Sequence, residues 1–316
     1  MIAIGVDIGG TNTKMVAISS GGRLIKEHKF KTFSFGRSFP DFAEGLGRIL
    51  NEWKKNMNRR DLVAGIGVAG DVNAEKGILR FSPNLAGWRN VRISSAIKKR
   101  VSLKCWVRND ANMAAWGAYV LEVGGKYDTG IVLTMGTGIG GGIICKGEIY
   151  EGATSTAGEF GHMKIYPGGR KCNCGEKGCL EAYIGSYAII KRANEKIKDP
   201  IAFAAKFGKK RLTTSCLAAA AERGEPTALA LWKETGKYLG IGLANIVYAL
   251  NPEFIVIAGG VSRSWKFFMP YLKKVFAGQK IVTPFRKVEV IISKKADLGV
   301  YGAALYALHK AKNEKN

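Results

Sequence analysis

Residues 2–19, IAIGVDIGGTNTKMVAIS, predict two strands joined by a tight turn. The apolar run of residues 2–8 is typical of a buried strand, and residues 14–19 have the composition of a returning strand. Gly9 and Gly10 stand between them, where the chain has to reverse. The stretch therefore predicts a glycine-turned hairpin at the start of an α/β protein.

The turn of this hairpin has the residues that a phosphate site needs. Glycines let an anionic phosphate approach the backbone closely, and Thr11 adds a hydroxyl. Asp7, at the end of the strand, is placed to hold a magnesium ion through water, and Lys14 can counter phosphate charge. The sequence is not a Walker A motif and no helix follows directly, which excludes a P-loop. A plain hairpin turn remains the alternative.

A second stretch, TGIVLTMGTGIGGGIICKGEIYEG at residues 129–152, repeats this design. An apolar strand, a glycine-rich turn and another apolar strand follow one another, and Gly136, Thr137 and Gly138 offer a second phosphate-sized cradle. The turn lies between two strands and does not open a helix, which argues against a dinucleotide site. The two units together predict a duplicated architecture with a nucleotide between its halves.

The segment between the two hairpins predicts further elements of an α/β fold. Pro40 and apolar residues at helical spacing predict a helix over residues 39–56. Residues 63–70, VAGIGVAG, predict a buried strand that ends in glycine. PNLAGW at residues 83–88 predicts a loop, in which Asn84 is interpreted as an ordinary turn residue when it is considered alone.

Asp110 stands at a predicted strand–helix junction. LKCWVRND at residues 103–110 predicts the strand, and DANMAAWGAYVLE predicts the helix that follows it. Aspartate at such a junction favours capping of the helix N-terminus. A carboxylate at the carboxyl end of a strand also lies where open α/β sheets bind ligands, which suggests a general base. Both interpretations stay open at this point.

A cysteine-rich loop, GEFGHMKIYPGGRKCNCGEKGCLE, covers residues 158–181. It offers one imidazole and three thiols, the ligand types that tetrahedral zinc prefers, at His162, Cys172, Cys174 and Cys179. Four protein ligands would close the metal shell, so the site predicts structural zinc, with the carboxylates of Glu159 and Glu181 held beside it. Free buried thiols or half of a disulfide set are the alternatives, and the odd cysteine number disfavours the latter.

The rest of the chain predicts mainly helices. These are expected near residues 181–198, over much of 200–250, and at 265–276, with a last helix closing the chain. FIVIAGGVSRS predicts a buried strand that runs into a turn, where Gly259, Gly260 and Ser262 can pack against a base or a ribose. A late strand is expected at residues 288–293. Cys105, Cys145 and Cys216 lie in apolar runs and are expected in the core.

Composition limits the classes of protein that fit. The chain has 316 residues, 47% of them hydrophobic, which favours two domains with substantial cores. The formal net charge of +24 permits attraction of nucleotides or nucleic acid. The charges are dispersed in short clusters, which favours a basic surface on a small-molecule enzyme over a nucleic-acid function. Neither an export signal nor a membrane-length apolar run is present in the sequence, so a cytoplasmic protein is expected.

The order of the motifs resembles the ROK family of repressors, open reading frames and kinases, and most closely its bacterial glucokinases. The resemblance extends over nearly the whole chain and rests on DIGGTNTK, GVAG, PNLAGW, NDANMAA, GTGIGGG, AGEFGH, CNCGEKGCLE and IAGGVS. It implies a two-domain actin-like ATPase/hexokinase (ribonuclease H-like) fold with an interdomain cleft. We expect residues 1–117 with 299–316 to form the smaller domain and residues 118–298 the larger.

The same resemblance implies roles for individual residues. Asp110 matches the catalytic base. The matching sugar-binding positions are Gly70, Asn84, Asn109, Asp110, Glu159, His162 and Glu181. The matching nucleotide positions are Asp7, Gly9, Gly10, Thr11 and Lys14 in the first turn, Gly136, Thr137 and Gly138 in the second, and Gly259 and Gly260 at the adenosine end. His162, Cys172, Cys174 and Cys179 match the zinc ligands.

The function implied is phosphorylation of the 6-hydroxyl of glucose by magnesium-ATP, in a homodimer. Other ROK kinases act on N-acylmannosamine, fructose, allose or N-acetylglucosamine, and a catalytically idle sugar sensor is the further alternative. The family often has proline where this chain has Ala69, which concerns loop rigidity and no side-chain chemistry. Its repressors carry a helix-turn-helix before the first phosphate turn, for which the position of Asp7 leaves no room.

Overall fold

The computed structural model describes residues 1–57 and 61–314. Strands and helices alternate along the described residues in the manner of an α/β protein. The strands are β1 (Ile2–Ile8), β2 (Asn12–Ser19), β3 (Leu24–Lys31), β4 (Leu62–Val68), β5 (Asp71–Asn73), β6 (Ile78–Phe81), β7 (Arg89–Arg92), β8 (Lys104–Asn109), β9 (Gly130–Met135), β10 (Ile139–Cys145), β11 (Glu148–Tyr150), β12 (Phe254–Ala258) and β13 (Glu289–Ile292).

The helices between them include one long central helix of the second half, α8. They are α1 (Phe39–Asn56), α2 (Ile93–Val101), α3 (Asp110–Leu121), α4 (Glu181–Ile184), α5 (Ser186–Lys196), α6 (Pro200–Ala205), α7 (Thr214–Glu222), α8 (Pro226–Leu250), α9 (Trp265–Ala277), α10 (Thr283–Lys287) and α11 (Leu298–Asn313). Short 3-10 helices cover Phe160–His162 and Val261–Ser264.

Two five-stranded sheets have the same internal design. The first has the order β3-β2-β1-β4-β8, and the second has the order β11-β10-β9-β12-β13. In each, a hairpin lies beside the central strand on one side and parallel strands lie on the other. The duplicated two-domain α/β fold that the two glycine hairpins predicted is confirmed at this level. A third, small antiparallel sheet joins β5, β6 and β7.

The chain divides into two compact units. One contains Met1–Asp128, Gly142–Gly158 and Lys295–Asn316, and the other contains Thr129–Gly141 and Glu159–Lys294. We call them unit 1 and unit 2. The division expected from the sequence, residues 1–117 with 299–316 against 118–298, stays a prediction about the folding domains.

The register of the first sheet brings the ends of three strands to one edge. Ile8 pairs with Val68 and Val68 pairs with Asn109 across parallel ladders, so β1, β4 and β8 end side by side. The chain beyond these ends carries Gly70 and Asp110, and Asp7 lies one residue before the end of β1. Carboxyl ends of parallel strands are where open α/β sheets bind ligands. Asp7 and Asp110 therefore lie at the same edge of the first sheet.

The two faces of the first sheet are covered differently. On one face, α1 packs Phe42, Leu46 and Trp53 into the main core cluster with the strands. On the other face, α11 lies so close that a methyl group on Gly5 would stand 2.0 Å from the carbonyl oxygen of Val300. The helix α1 begins as predicted, because Ser38 accepts a hydrogen bond from the Asp41 amide and Pro40 occupies the first turn.

Close packing of α3 against α11 gives a stability prediction. A methyl group on Gly302 would lie 1.8 Å from the carbonyl oxygen of Met113, so the helices would have to separate. We expect Gly302→Ala to lower the free energy of unfolding by about 3 kcal/mol in urea titrations. Gly21→Ala is the matched control, because its nearest neighbouring atom would lie 3.9 Å away. Equal stability of the two variants would contradict this packing.

Some local predictions were wrong. The helix expected over residues 181–198 is interrupted at Gly185, whose extended backbone ends α4 and precedes α5. Cys105 and Cys145 are only partly buried, whereas Cys216 is buried as expected. Among the described residues, no helix combines the length and the apolar composition that a membrane crossing requires.

Candidate active site and metal-binding loop

A cluster of charged side chains occupies the carboxyl edge of the first sheet. Burial, followed by the nearby Asp110 carboxylate, raises the pKa of Asp7 to about 7, Lys14 acts in the opposite direction, and Asp297 raises the pKa further. The Lys14 ammonium donates a hydrogen bond to Asp297. The structure thus brings Lys14 and Asp110 each within electrostatic reach of Asp7. A site with more carboxylates than cations is suited to a bound cation.

The first glycine turn is held in shape from within unit 1. The Gly9 amide donates to the carbonyl oxygen of Asn12 at 3.1 Å, and the Thr32 hydroxyl donates to the carbonyl oxygen of Gly9 at 2.6 Å. A methyl group on Gly10 would lie 2.7 Å from the backbone oxygen of Asn84, so glycine is required where these loops meet. Thr11 is exposed at the tip of the turn. The arrangement leaves a rigid, solvent-facing turn.

The same contact explains the place of Asn84. Its backbone packs on Gly10 and its backbone amide donates a hydrogen bond to the Ser82 hydroxyl oxygen at 3.2 Å, while the residue itself is exposed. An exposed amide side chain beside a phosphate-type turn can bind a polar ligand. The predicted sugar residue and the predicted phosphate turn are therefore neighbours in unit 1.

Asn109, the residue before the predicted base, is the N-cap of α3. Its side-chain oxygen accepts hydrogen bonds from the Ala111 and Asn112 amides at 2.8 and 3.3 Å, and its amide nitrogen donates to the Gly70 carbonyl oxygen at 2.9 Å. The interpretation of Asp110 as the N-cap is therefore wrong, because Asp110 is the first residue of α3. Both the oxygen and the nitrogen of the Asn109 side-chain amide are thus hydrogen-bonded to the backbone.

Gly70 holds its loop in a conformation that only glycine adopts easily. Its φ is +135°, and a methyl group there would lie 2.4 Å from the carbonyl oxygen of Phe81. Together with the bond from Asn109, this fixes the GVAG loop at the same sheet edge as Asp110. Gly70 shapes the predicted sugar loop through its backbone.

The second glycine turn, in unit 2, is tied to the helix pair that follows the cysteine loop. The Gly136 amide donates to the Gly138 carbonyl oxygen at 3.0 Å, and the Ser186 amide donates to the Gly136 carbonyl oxygen at 3.0 Å. A methyl group on Gly138 would lie 2.4 Å from a carboxylate oxygen of Glu181. Thr137, at the tip, is exposed. This turn resembles the first in being rigid with an exposed hydroxyl.

A cavity of about 390 Å³ lies beside the second turn, within unit 2. Thr137 and Ser186 line it with hydroxyls, and Tyr187, Ile190 and Leu212 are among its larger walls. This size falls in the range of small-ligand pockets. The cavity therefore has room for a small ligand beside Thr137.

Gly259 and Gly260, predicted at the adenosine end, follow β12. Gly259 has a φ of +95°, and a methyl group there would lie 2.5 Å from the carbonyl oxygen of Met135. Gly260 has open space on its side-chain side. The Ser262 hydroxyl donates to the Gly259 carbonyl oxygen at 2.8 Å, so it braces the turn. Neither glycine is among the residues that line the cavity.

The four predicted metal ligands converge. The ligand atoms of His162, Cys172, Cys174 and Cys179 all lie within 4.8 Å of one another. The sulfurs of Cys174 and Cys179 are 3.7 Å apart, and Nδ1 of His162 is 4.0 Å from the Cys172 sulfur. Zinc–sulfur bonds of about 2.3 Å in a tetrahedron separate two sulfurs by about 3.8 Å. The donor set and its spacing therefore fit tetrahedral zinc.

The two ring nitrogens of His162 face different groups. Nδ1 faces the cysteine sulfurs, whereas Nε2 lies 3.9 Å from a carboxylate oxygen of the exposed Glu159. A metal bound at Nδ1 would fix the ring, and Nε2 would then carry the proton and act as a donor. The arrangement allows one histidine to serve the metal and a polar ligand at once.

Glu181 is buried between the cysteine loop and the second glycine turn. One carboxylate oxygen accepts a hydrogen bond from the Ile139 amide at 2.9 Å, and the other lies 3.4 Å from the Tyr187 hydroxyl and 3.5 Å from the Cys172 sulfur. The sequence did not indicate this link, because nothing in the spacing of these residues predicts it. Glu181 is thus held by the turn and the metal loop together.

Two further residues near these sites were missed in the sequence. The Lys164 ammonium lies 3.2 Å from the Cys179 sulfur, where a cation stabilises a thiolate. Asp297 pairs with Lys14 although 283 positions separate them. Alternation of charged residues along the chain gives no signal for either contact.

Known proteins resemble this chain over nearly its whole length. A family model described as the ROK family matches residues 3–310. A glucokinase of Thermotoga maritima is 30% identical over 305 residues, which cover 95% of each chain. A xylose repressor of Caldicellulosiruptor bescii is 28% identical, with 94% of this chain and 75% of the repressor covered.

Among solved structures, a ROK family glucokinase from Streptomyces griseus in complex with glucose and AMPPNP superposes with a TM-score of 0.79. It is 30% identical in sequence, and the match covers 98% of this chain and 100% of the other. Both the sequence and the structural relatives therefore span nearly all of the residues discussed above.

Proposed function

The chain belongs to the ROK family, and on that premise we propose that it is an ATP-dependent hexose kinase that phosphorylates the 6-hydroxyl of glucose. The observation that carries the proposal is the charged cluster at the carboxyl edge of the first sheet. There, Asp110 lies close enough to Asp7 to raise its pKa, and Lys14 lies close enough to lower it. Glucose is supported by the glucokinase relatives at 30% identity.

In the proposed reaction, Asp110 accepts the proton of the sugar hydroxyl as that oxygen attacks the γ-phosphorus of ATP. The bond from γ-phosphorus to the bridging oxygen breaks, and ADP leaves. Asn109 is the N-cap of α3, and only one Asp110 carboxylate oxygen, Oδ1, accepts the Ala111 amide hydrogen bond, at 3.0 Å. A positioned base of this kind contributes about 10²- to 10⁴-fold to rate.

Most of the remaining rate enhancement is assigned to alignment of the two substrates and to neutralisation of the phosphate charge. Lys14 and the amides of the two glycine turns would bind phosphate oxygens. Asp7 would hold magnesium through water, and the ion would neutralise charge on the β- and γ-phosphates. The cavity beside Thr137 would receive the nucleoside.

Sugar recognition is assigned to amide, carboxylate and imidazole groups. Asn84 and Glu159 are exposed and can bind hydroxyls, and Nε2 of His162 can donate to one. His162, Cys172, Cys174 and Cys179 would hold zinc, which orders the loop when it is bound. Because this set fills the metal shell, no catalytic step is assigned to the zinc.

The raised pKa of Asp7 predicts how stability depends on pH. Its ordinary value is 3.8 and its value in the fold is about 7, so the folded protein binds the proton more tightly than the unfolded chain. The contribution to the free energy of unfolding is therefore present below about pH 4 and is lost as pH rises through 7. We expect the stability of wild type relative to Asp7→Asn to fall over this window in metal-free urea titrations. A difference that stays constant from pH 4 to 8 would contradict this environment for Asp7.

The direct test of the function is an ADP-release assay with magnesium-ATP and a panel of hexoses and amino sugars. Highest turnover on glucose is expected. Highest turnover on another sugar, such as N-acetylglucosamine or N-acylmannosamine, would support the proposed mechanism but contradict glucose as the preferred substrate. The protein should contain about one zinc per chain, because one four-ligand site is present among the described residues.

A sugar-responsive regulator is the second candidate, and the similarity to a xylose repressor favours it. The two candidates differ in what the bound sugar undergoes. Tight sugar binding in a calorimeter with no ADP release from zinc-loaded protein would favour the regulator. Turnover of that same sugar would exclude it.

A further inference from the structure

The Lys14–Asp297 pair joins the first hairpin to the beginning of the last helix. Lys14 lies on β2 and Asp297 directly precedes α11, and the lysine ammonium donates to a carboxylate oxygen of the aspartate. The two side chains are 37% and 43% exposed. An ion pair so open to solvent contributes little to stability, so fold stability does not explain it.

Asp297 has an unusual backbone conformation for a residue that precedes a helix. Asp297 is the N-cap residue of α11, yet its side chain makes no capping hydrogen bond. Its φ of +58° lies in the left-handed region, which is unfavourable for a residue other than glycine. Aspartate at this position normally binds the helix amides. Here its carboxylate is directed to a lysine instead.

The start of α11 also lies against the Asp7 carboxylate. A methyl group on Gly299 would stand 3.1 Å from an Asp7 carboxylate oxygen. The partial positive charge of a helix N-terminus favours an anion at that place. The turn before α11 therefore brings Asp297 and its lysine beside the acid that is proposed to hold magnesium.

We propose that Asp297 is a positioning residue that directs Lys14 toward the phosphates of the nucleotide and away from the carboxylate of Asp7. Lysine has a flexible four-carbon stem and a compact charge, so an unrestrained Lys14 would pair with Asp7, its partner across the β1–β2 ladder. Such a pair would occupy the carboxylate that is proposed to hold magnesium. This inference rests on the proposed function, in which Lys14 faces the phosphates.

The test is calorimetric binding of magnesium-AMPPNP to wild type, Asp297→Asn, Lys14→Met and the double variant. Asparagine tolerates the left-handed backbone and can cap a helix, so Asp297→Asn removes the charge and keeps the local structure. Asp297→Gly, which also suits this backbone, is a second variant without the charge. Glu314→Gln is the control, because it removes the same charge from the Lys104–Glu314 pair.

We expect Asp297→Asn and Lys14→Met each to weaken nucleotide binding about tenfold, with glucose affinity unchanged. The double variant should bind no more weakly than Lys14→Met, since Asp297 acts through that lysine. The KM for magnesium-ATP should rise by the same factor. Glu314→Gln should bind as wild type does.

Two results would overturn the inference while leaving the function intact. One is wild-type nucleotide affinity in both Asp297 variants, and the other is a double variant whose loss equals the product of the single losses. A wild-type protein that binds no nucleotide would overturn the proposed function, and this inference with it.

Discussion

Replacing Asp110 by asparagine is expected to lower kcat by about a thousandfold while glucose still binds. The amide cannot accept the hydroxyl proton, and general-base catalysis contributes about 10²- to 10⁴-fold. Asn109 provides the cap of α3, so the helix should remain and the variant should fold. The measurements are kcat from ADP release and the glucose dissociation constant from calorimetry.

The control for this substitution is Asp61→Asn. Asp61 directly precedes β4 and therefore lies at the amino edge of the parallel strands. Asp61→Asn removes the same charge at the opposite edge of the sheet from Asp110. Turnover of Asp110→Asn within a few fold of the control would remove Asp110 as the base.

Replacing Cys174 by serine is expected to remove the bound zinc and to lower the melting temperature by about 10 °C. Structural zinc contributes binding free energy directly to folding, and a serine hydroxyl is a poor substitute for a thiolate. For a unit of this size, about 3 kcal/mol corresponds to such a shift. Kinase activity should fall as well, because His162 and the residues around Glu181 are held by the same loop.

Cys145→Ser is the matched control, since Cys145 is a partly buried free cysteine of unit 1 outside the ligand set. Metal content from mass spectrometry and melting temperature from calorimetry are measured on both variants. Wild-type protein that is stable and active with no zinc detected would contradict the structural role of the metal.

The sequence predicts the architecture well because the architecture repeats. Two strand–glycine turn–strand patterns were enough to indicate two related halves, and the sheets have equivalent strand orders. Pro40 and the apolar spacing after it located α1 correctly, since a first-turn proline and periodicity are local signals. The four candidate metal ligands could be proposed for a similar reason, because they lie within one loop.

The predictions failed where structure depends on contacts distant in sequence or on short elements. Strands β5, β6 and β7 have only three or four residues, too few for an alternation to be recognised. The break at Gly185 reflects tertiary packing, since a methyl group there would meet backbone oxygens of Glu181 and Thr137 at 3.0 Å. The choice between Asn109 and Asp110 as the cap required coordinates, because both residue types cap helices.

The reaction proposed for this protein is transfer of a phosphoryl group from ATP to the primary hydroxyl of a hexose. Phosphorus NMR of zinc-loaded wild type with magnesium-ATP and glucose tests it most directly. We predict a new phosphomonoester signal split into a triplet by the two protons on carbon 6, growing in step with ADP and almost absent with Asp110→Asn. Conversion of ATP to ADP and inorganic phosphate alone, or no conversion with any hexose, would contradict it.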